Sequence, residues 1–175
     1  STSDTVLLLA NGRACPAHLS DVELKDFRSA LQGVCVELAR SIAADGEGAT
    51  HLITIGVRGC TVRAAALRIA RAVANSPLVK TAISGGDPNW GRIVSAAGYA
   101  GVDFDPSRFD VSINGVTIYG SGAPVPFDAD QLSASMRNEF ETQIVLAFRD
   151  GKAAARYWTC DLTDEYVRIN ADYHT

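Results

Sequence analysis

Hydrophobic and polar positions switch between helical and extended spacing along this chain, a pattern typical of a mixed α/β protein. The first helix is predicted by Ser20-Asp21-Val22-Glu23, in which a hydroxyl is followed three residues later by a carboxylate, as in a capping box. Apolar residues then recur at helical spacing: Phe27, Leu31, Val34, Leu38 and Ile42. Asp45-Gly46 predicts the end of this helix, because glycine adopts the left-handed cap conformation at little cost.

Short apolar runs predict the strands. Residues 6–10 are apolar on both faces, as in the centre of a sheet, and we expect a partner chain or an upstream segment to supply neighbours for this strand. Residues 52–57 and 79–84 are also predicted to be strands. Asn114-Gly115 predicts a type I′ hairpin over residues 111–118. Asp150-Gly151 predicts a second hairpin that joins residues 142–148 to 153–159.

The remaining helices follow turn and capping signals. Thr61 is the predicted cap of a helix through Ala74, and a short helix follows the glycine-rich turn as far as Tyr99. Asp128 or Asp130 caps a helix to Phe140, and a last helix runs from about Thr163 toward Tyr173. The predicted fold class is therefore α/β with mixed α+β layers, in which mixed sheets with antiparallel hairpins are covered by helices.

Composition narrows the classes of function. With 175 residues, of which 47% are hydrophobic, the chain can bury a substantial core. A formal net charge of -4 argues against a nucleic-acid partner, and no apolar run is long enough to span a bilayer. Four cysteines and three histidines are scattered without metal-ligand spacing, so we predict no metal site and a reduced, cytoplasmic protein.

The segment Ser84-Gly85-Gly86-Asp87-Pro88-Asn89-Trp90-Gly91-Arg92 is the most distinctive in the chain. It matches neither glycine-rich pattern of nucleotide-phosphate loops. Asp87 or Asn89 can cap the following helix, Pro88 can fix the turn, and Arg92 can pair with Asp87. We favour this structural role over direct contact with a substrate.

Several segments, taken together, resemble the β chain of the ornithine acetyltransferase family, whose members are also called bifunctional glutamate N-acetyltransferases. Besides the segment just described, they are residues 1–5, 45–50, 75–82, 159–163 and 169–175, and they match in order from the first residue to the last. The resemblance implies one part of an αββα-like two-chain enzyme, a heterotetramer of two α and two β chains. Residues 1–50 would belong to a catalytic core shared with an upstream segment and the α chain. Residues 51–175 would form a C-terminal α/β domain whose terminal helix returns to the active site.

The resemblance also implies roles for three residues. From its spacing alone, Glu47 is best interpreted as a solvated turn residue, but the family's matching glutamate contacts the amino-acid substrate. Asn170 and Thr175 match residues that line the same pocket. The family's nucleophile is a threonine that we expect upstream of Ser1, so no catalytic residue is predicted in this chain. Ser1 is rejected as a nucleophile, although an N-terminal hydroxyl residue can use its own amine as base.

The function implied is transfer of an acetyl group from N2-acetylornithine to glutamate in arginine biosynthesis, through a threonine acyl-enzyme. No bound cofactor is implied, although some members of the family accept acetyl-CoA as a co-substrate. Two alternatives stay open. One is a self-processing amidase or aminopeptidase of the N-terminal-nucleophile type, with water as acceptor. The other is a non-catalytic module that binds a small molecule.

Overall fold

The computed structural model describes residues 5–13 and 18–172. The chain divides into two compact units between Ile42 and Ala43. Helices in the described residues are α1 (Asp21–Ala44), α2 (Arg63–Ala74), α3 (Pro77–Ser84), α4 (Trp90–Gly98), α5 (Ala129–Asn138) and α6 (Asp164–Asp172). The strands are β1 (Leu52–Cys60), β2 (Phe109–Ile113), β3 (Val116–Gly120), β4 (Ala123–Pro124), β5 (Glu141–Phe148) and β6 (Ala153–Cys160). The mixed α/β class predicted from the sequence is confirmed.

The second unit is built on one six-stranded mixed sheet in the order β4-β3-β2-β5-β1-β6. β1 runs parallel to β5, with Leu52 opposite Glu141, and antiparallel to β6, with Leu52 opposite Cys160. β2 runs antiparallel to both β3 and β5. The start of β1 and the end of β6 therefore meet at one end of the sheet.

The core of this unit lies between one face of the sheet and the helices. Along β5 the side chains of Ile144, Leu146 and Phe148 are buried, whereas Gln143 is exposed, so the strand alternates between the two faces. The same hydrophobic cluster contains residues from four helices: Ala66, Ile69, Ala70, Val73 and Ala74 of α2, Val79 and Ile83 of α3, Ile93, Ala96 and Ala97 of α4, and Leu132 and Met136 of α5.

Several local predictions are confirmed. At the start of α1 the Ser20 hydroxyl donates to Glu23 Oε2 at 2.7 Å, and the Ser20 amide donates to the same oxygen at 2.8 Å. The β2–β3 hairpin turns on Asn114 and Gly115, whose φ angles of 46° and 82° suit a type I′ turn. Asp128 caps α5 by accepting from the Gln131 amide at 2.9 Å.

The predicted hairpin between β5 and β6 is wrong. Both strands exist, but β1 lies between them and pairs with each. A short Asp-Gly connection is compatible with a hairpin but does not require one, because strand order also depends on which apolar strand fills the centre of the sheet. β1 has four consecutive buried residues at its start, as expected of a central strand.

Residues 79–84 are not the predicted strand but belong to α3. Pro77 occupies the first turn, and the Ser76 hydroxyl accepts from the Val79 amide at 3.4 Å. Val79, Ala82 and Ile83 are buried at helical spacing. In a short apolar run, that spacing cannot be told from a buried strand without knowing the packing.

Two further predictions are corrected. Residues 6–10 lie in no helix or strand, and Val6 to Leu9 are 64% to 87% exposed. An extended run becomes a strand only beside a hydrogen-bonding neighbour, and the described residues provide none. The N-cap of α2 is Val62, which makes no side-chain cap bond, rather than Thr61.

Candidate functional site

The structure brings Glu47 and Asn170 into contact, although they are 123 positions apart in the sequence. Glu47 lies in the loop of residues 45–51 between α1 and β1, which we call the Glu47 loop. A turn in this loop is closed by the Ala49 amide, which donates to the Gly46 carbonyl at 2.9 Å. Asn170 lies on α6, and its Nδ2 donates to Glu47 Oε2 at 2.8 Å and to the Tyr166 carbonyl at 2.9 Å.

The groups left available by this pair are hydrogen-bond acceptors. In the described residues, the two bonds from Asn170 Nδ2 use both amide protons, and neither Glu47 Oε1 nor Asn170 Oδ1 receives a protein donor. Both side chains are exposed, so a ligand can reach them. Two acceptors, one of them charged, suit a positively charged donor such as the ammonium group of an amino acid.

The Glu47 loop is held close to the start of α6. The Thr163 hydroxyl donates to the Gly48 carbonyl at 2.7 Å and accepts from the Tyr166 amide at 3.3 Å, so one side chain caps the helix and binds the loop. Gly48 has a φ of 65°, and a Cβ atom there would lie 2.7 Å from the Tyr166 nitrogen. Only glycine permits this separation between loop and helix.

A buried carboxylate, Asp161, forms the other attachment of the loop. Its side chain is fully buried and accepts hydrogen bonds from the Thr50 amide at 2.9 Å, the Thr50 hydroxyl at 2.6 Å and the His51 amide at 3.0 Å. His51 Nδ1 lies 3.2 Å from the same group. Burial alone would raise the pKa of Asp161, but these hydrogen bonds outweigh it and hold the pKa below the ordinary aspartate value.

A cation lies near the other side of the loop. Lys80 Nζ on α3 is 3.9 Å from Cys160 Sγ, and the Leu162 amide donates to the Lys80 carbonyl at 3.4 Å. The same Sγ would lie 2.6 Å from a Cβ atom at Gly46, so Cys160 packs directly against the loop. The Lys80 ammonium group thus lies against Cys160, the residue that packs on the Glu47 loop.

Of the three site residues predicted from the sequence, the structure places Glu47 and Asn170 in contact, and the predicted role of all three in substrate binding stays a prediction. Thr175 lies outside the described residues. The loop contacts of Asp161 and Thr163 were not predicted. Both residues lie in segment 159–163, which contributes to the family resemblance, and that was the only signal in the sequence that could have drawn attention to them.

The turn before α4 has the structural role favoured above, with one correction. Asn89 caps α4 by accepting from the Arg92 amide at 3.1 Å. The predicted pairing of Arg92 with Asp87 is wrong: the Arg92 guanidinium donates to the Leu78 carbonyl at 2.9 Å, while Asp87 accepts from Asn89 Nδ2 at 3.0 Å. The turn therefore links α3 to α4 through backbone acceptors.

Within residues 5–13 and 18–172, no three or more histidine, cysteine or acidic side chains are grouped so that they could hold a metal ion. In the same ranges, no helix combines the length and the apolar character needed to cross a membrane.

Fold and site together define a mixed α/β chain that presents an exposed carboxylate–amide pair suited to an ammonium-bearing ligand. The ArgJ family model matches residues 1–175, and the chain belongs to that family. It is 46% identical to "Arginine biosynthesis bifunctional protein ArgJ" of Rhodopirellula baltica, covering 100% of this chain and 43% of that protein. It is 48% identical to "Glutamate N-acetyltransferase" of Methanopyrus kandleri, covering 100% of this chain and 46% of that protein.

A solved structure has the same fold. The crystal structure of arginine biosynthesis bifunctional protein ArgJ from Bacillus halodurans superimposes with a TM-score of 0.90 at 38% identity, covering 99% of this chain and 82% of the matched chain. The chain spans less than half the length of the two curated relatives named above.

Proposed function

We propose that this chain is the β-chain portion of an acetyltransferase that moves the acetyl group of N2-acetylornithine to glutamate in arginine biosynthesis. Membership of the ArgJ family and the names of the relatives described above support this reaction. The observation that carries the assignment of this chain's own part is the 2.8 Å contact between Asn170 and Glu47, which presents acceptors to solvent. In this proposal residues 1–50 contribute to a catalytic core, and residues 51–175 form the C-terminal domain.

In the proposed reaction a threonine upstream of Ser1 attacks the acetyl carbonyl of N2-acetylornithine, with its own α-amine accepting the hydroxyl proton. The carbon–nitrogen bond to ornithine breaks, the leaving nitrogen takes a proton, and an acetyl-threonine ester remains. The α-amine of glutamate then attacks this ester, so N-acetylglutamate forms and the threonine hydroxyl is restored. No bound cofactor takes part, and acetyl-CoA is a candidate alternative donor.

Glu47 and Asn170 act on the amino-acid portion of the substrate. The ammonium group of an ornithine-type substrate donates to Glu47 Oε1 and Asn170 Oδ1, the two acceptors that the described contacts leave available. Thr175 is proposed to line the same pocket. The α chain of the same precursor supplies the rest of the site, in a cytoplasmic heterotetramer of two α and two β chains.

The test is Glu47→Ala in the complete two-chain enzyme, with formation of N-acetylglutamate from N2-acetylornithine as the readout. Loss of a hydrogen bond to a charged group costs about 1.5–3 kcal/mol, so kcat/KM for N2-acetylornithine should fall roughly 10- to 100-fold. Glu139→Ala is the matched control, because Glu139 is an exposed glutamate at the end of α5 whose Oε1 accepts from the Ser135 hydroxyl at 2.7 Å. It should retain the wild-type value.

Two results would contradict the proposal. Wild-type kinetics for Glu47→Ala would remove the role of that residue. Release of ornithine at the same rate with and without glutamate, with no N-acetylglutamate formed, would identify a hydrolase that uses water as acceptor instead.

A further inference from the structure

The structure assigns Asp161 and Thr163 as positioning residues that hold Glu47 in place for substrate binding. This inference rests on the proposed function of Glu47 and extends it to side chains that do not themselves touch the substrate. Both residues lie in the segment between β6 and α6, and both bind the Glu47 loop: Thr163 at Gly48, within the turn, and Asp161 at Thr50 and His51, directly after it.

The burial of Asp161 indicates that the attachment is specific. Asp161 is the one buried charged residue in the described part of the chain, and burying a carboxylate is costly unless donors surround it. Here two backbone amides and the Thr50 hydroxyl donate to it, and His51 Nδ1 lies within 3.2 Å. Two successive amides directed at one carboxylate fix the path of the backbone as it leaves the Glu47 loop.

Thr163 couples the loop to the helix that carries Asn170. Its hydroxyl hydrogen is used by the Gly48 carbonyl, and its oxygen accepts from the Tyr166 amide. Tyr166 in turn provides the carbonyl that orients the Asn170 amide, at 2.9 Å. A continuous set of hydrogen bonds therefore runs from Gly48 through Thr163 and Tyr166 to Asn170, and Asn170 closes it on Glu47.

As a consequence, the distance between the two available acceptors, Glu47 Oε1 and Asn170 Oδ1, depends on residues 161–163. Glu47 lies on an exposed turn and would otherwise sample several positions at the cost of substrate affinity. Removing either attachment should release the loop without removing the carboxylate. The expected defect is weaker substrate binding rather than slower chemistry, because the acetyl-transfer groups are proposed to lie outside this chain.

The experiment uses Asp161→Asn, Thr163→Val and Thr163→Ser in the complete two-chain enzyme. Asparagine cannot accept every bond made to Asp161, and valine removes the hydroxyl of Thr163, whereas serine keeps it. We expect the first two variants to raise KM for N2-acetylornithine by roughly tenfold, within the ~10²-fold that misplacement by about 1 Å can cause, and kcat to change much less. Thr163→Ser should stay close to wild type.

Asp105→Asn is the matched control for the change at Asp161. Asp105 is also an aspartate that accepts from a neighbouring backbone amide, that of Ser107 at 2.8 Å, and from the Ser107 hydroxyl at 2.7 Å, but it lies in the loop before β2. Its substitution should leave both KM and kcat unchanged.

Two readouts separate positioning from a general loss of stability. In a Glu47→Ala background, Asp161→Asn should change KM by less than about twofold, because a residue that acts through Glu47 has no further effect once Glu47 is removed. Amide hydrogen exchange at Thr50 and His51 should become faster in Asp161→Asn.

The outcomes distinguish the two proposals. A defective Glu47→Ala enzyme combined with wild-type KM for both Asp161→Asn and Thr163→Val would overturn only the positioning role. The positioning role would also be overturned by either of two results. One is that Asp161→Asn raises KM as much in the Glu47→Ala background as in the wild type. The other is that Asp161→Asn leaves amide hydrogen exchange at Thr50 and His51 unchanged. Wild-type KM and kcat/KM for Glu47→Ala would overturn both the substrate-binding role of Glu47 and the positioning role of Asp161 and Thr163.

Discussion

Replacing Gly48 with alanine should separate Glu47 from Asn170 while leaving the chain folded. A Cβ atom at this position would lie 2.7 Å from the backbone nitrogen of Tyr166 and 3.0 Å from the carbonyl carbon of Glu165. Both neighbours belong to the backbone of α6, so no side-chain rotation can relieve the contact. The Glu47 loop and the helix must move apart.

The size of this movement follows from the distances. Ordinary van der Waals contact for a Cβ atom begins at 3.4 Å, so a contact of 2.7 Å requires a shift of about 0.7 Å. If the same shift is applied to the 2.8 Å bond between Asn170 Nδ2 and Glu47 Oε2, the separation becomes about 3.5 Å. At that distance little of the hydrogen bond remains. We therefore expect KM for N2-acetylornithine to rise roughly tenfold, within the ~10²-fold expected of ångström-scale misplacement.

Gly115→Ala provides a matched control. Alanine would be strained by the left-handed backbone at both glycines, but only at Gly48 would its Cβ atom collide with a neighbour. Gly115 has a φ of 82°, close to the 65° of Gly48, but a Cβ atom there would meet nothing within 4 Å. Alanine at either position incurs about 1–2 kcal/mol of left-handed backbone strain. Both variants should therefore lose at least that much free energy of unfolding, and only Gly48→Ala should raise KM.

The assay combines urea denaturation of the assembled enzyme with steady-state kinetics at varied N2-acetylornithine. An equal KM for Gly48→Ala, Gly115→Ala and wild type would refute the link between the loop–helix separation and substrate binding. An equal increase in KM for the two variants would refute the steric explanation, because backbone strain alone would then account for the effect.

Two further predictions concern stability. Leu146→Ala should lower the free energy of unfolding by about 2–5 kcal/mol, because Leu146 is completely buried in a strand at the centre of the sheet. Gln143→Ala, on the exposed face of the same strand, should have little effect in the same denaturation assay. The lowered pKa of Asp161 means that the folded state favours its charged form, so its contribution to stability should be present above the unfolded-state pKa of about 3.9 and be lost as the pH falls through the lower folded-state pKa. Below about pH 4, the free energy of unfolding should depend less steeply on pH in Asp161→Asn than in the wild type. The same pH dependence in both proteins would contradict the hydrogen-bond network described for Asp161.

Local interactions explain which parts of the fold could be predicted from the sequence. The capping box at Ser20 and the turn at Asn114-Gly115 depend on residues within three or four positions of one another, and both are present as predicted. The run of residues 79–84 was interpreted wrongly because its apolar side chains suit either a strand or a helix. The burial of Val79, Ala82 and Ile83 decides for the helix.

The candidate site depends on contacts that are distant in the sequence. Glu47 and Asn170 were predicted only through family resemblance, and no pattern of spacing connects them. Asp161 was missed because an isolated aspartate after a strand gives no indication that it will be buried. Its environment is created by Thr50 and His51, more than a hundred residues earlier in the chain.

The sequence by itself determined the mixed α/β class and most helix boundaries, because these follow from periodicity and capping, whereas Glu47 and Asn170 were predicted only through family resemblance. Tertiary structure alone decided that β1 separates β5 from β6 and so brings the start of β1 to the end of β6. That pairing places the Glu47 loop beside α6. The physical reason is that strand order is set by burial of whole faces and by hydrogen bonding between distant segments, for which no short stretch of sequence carries the information.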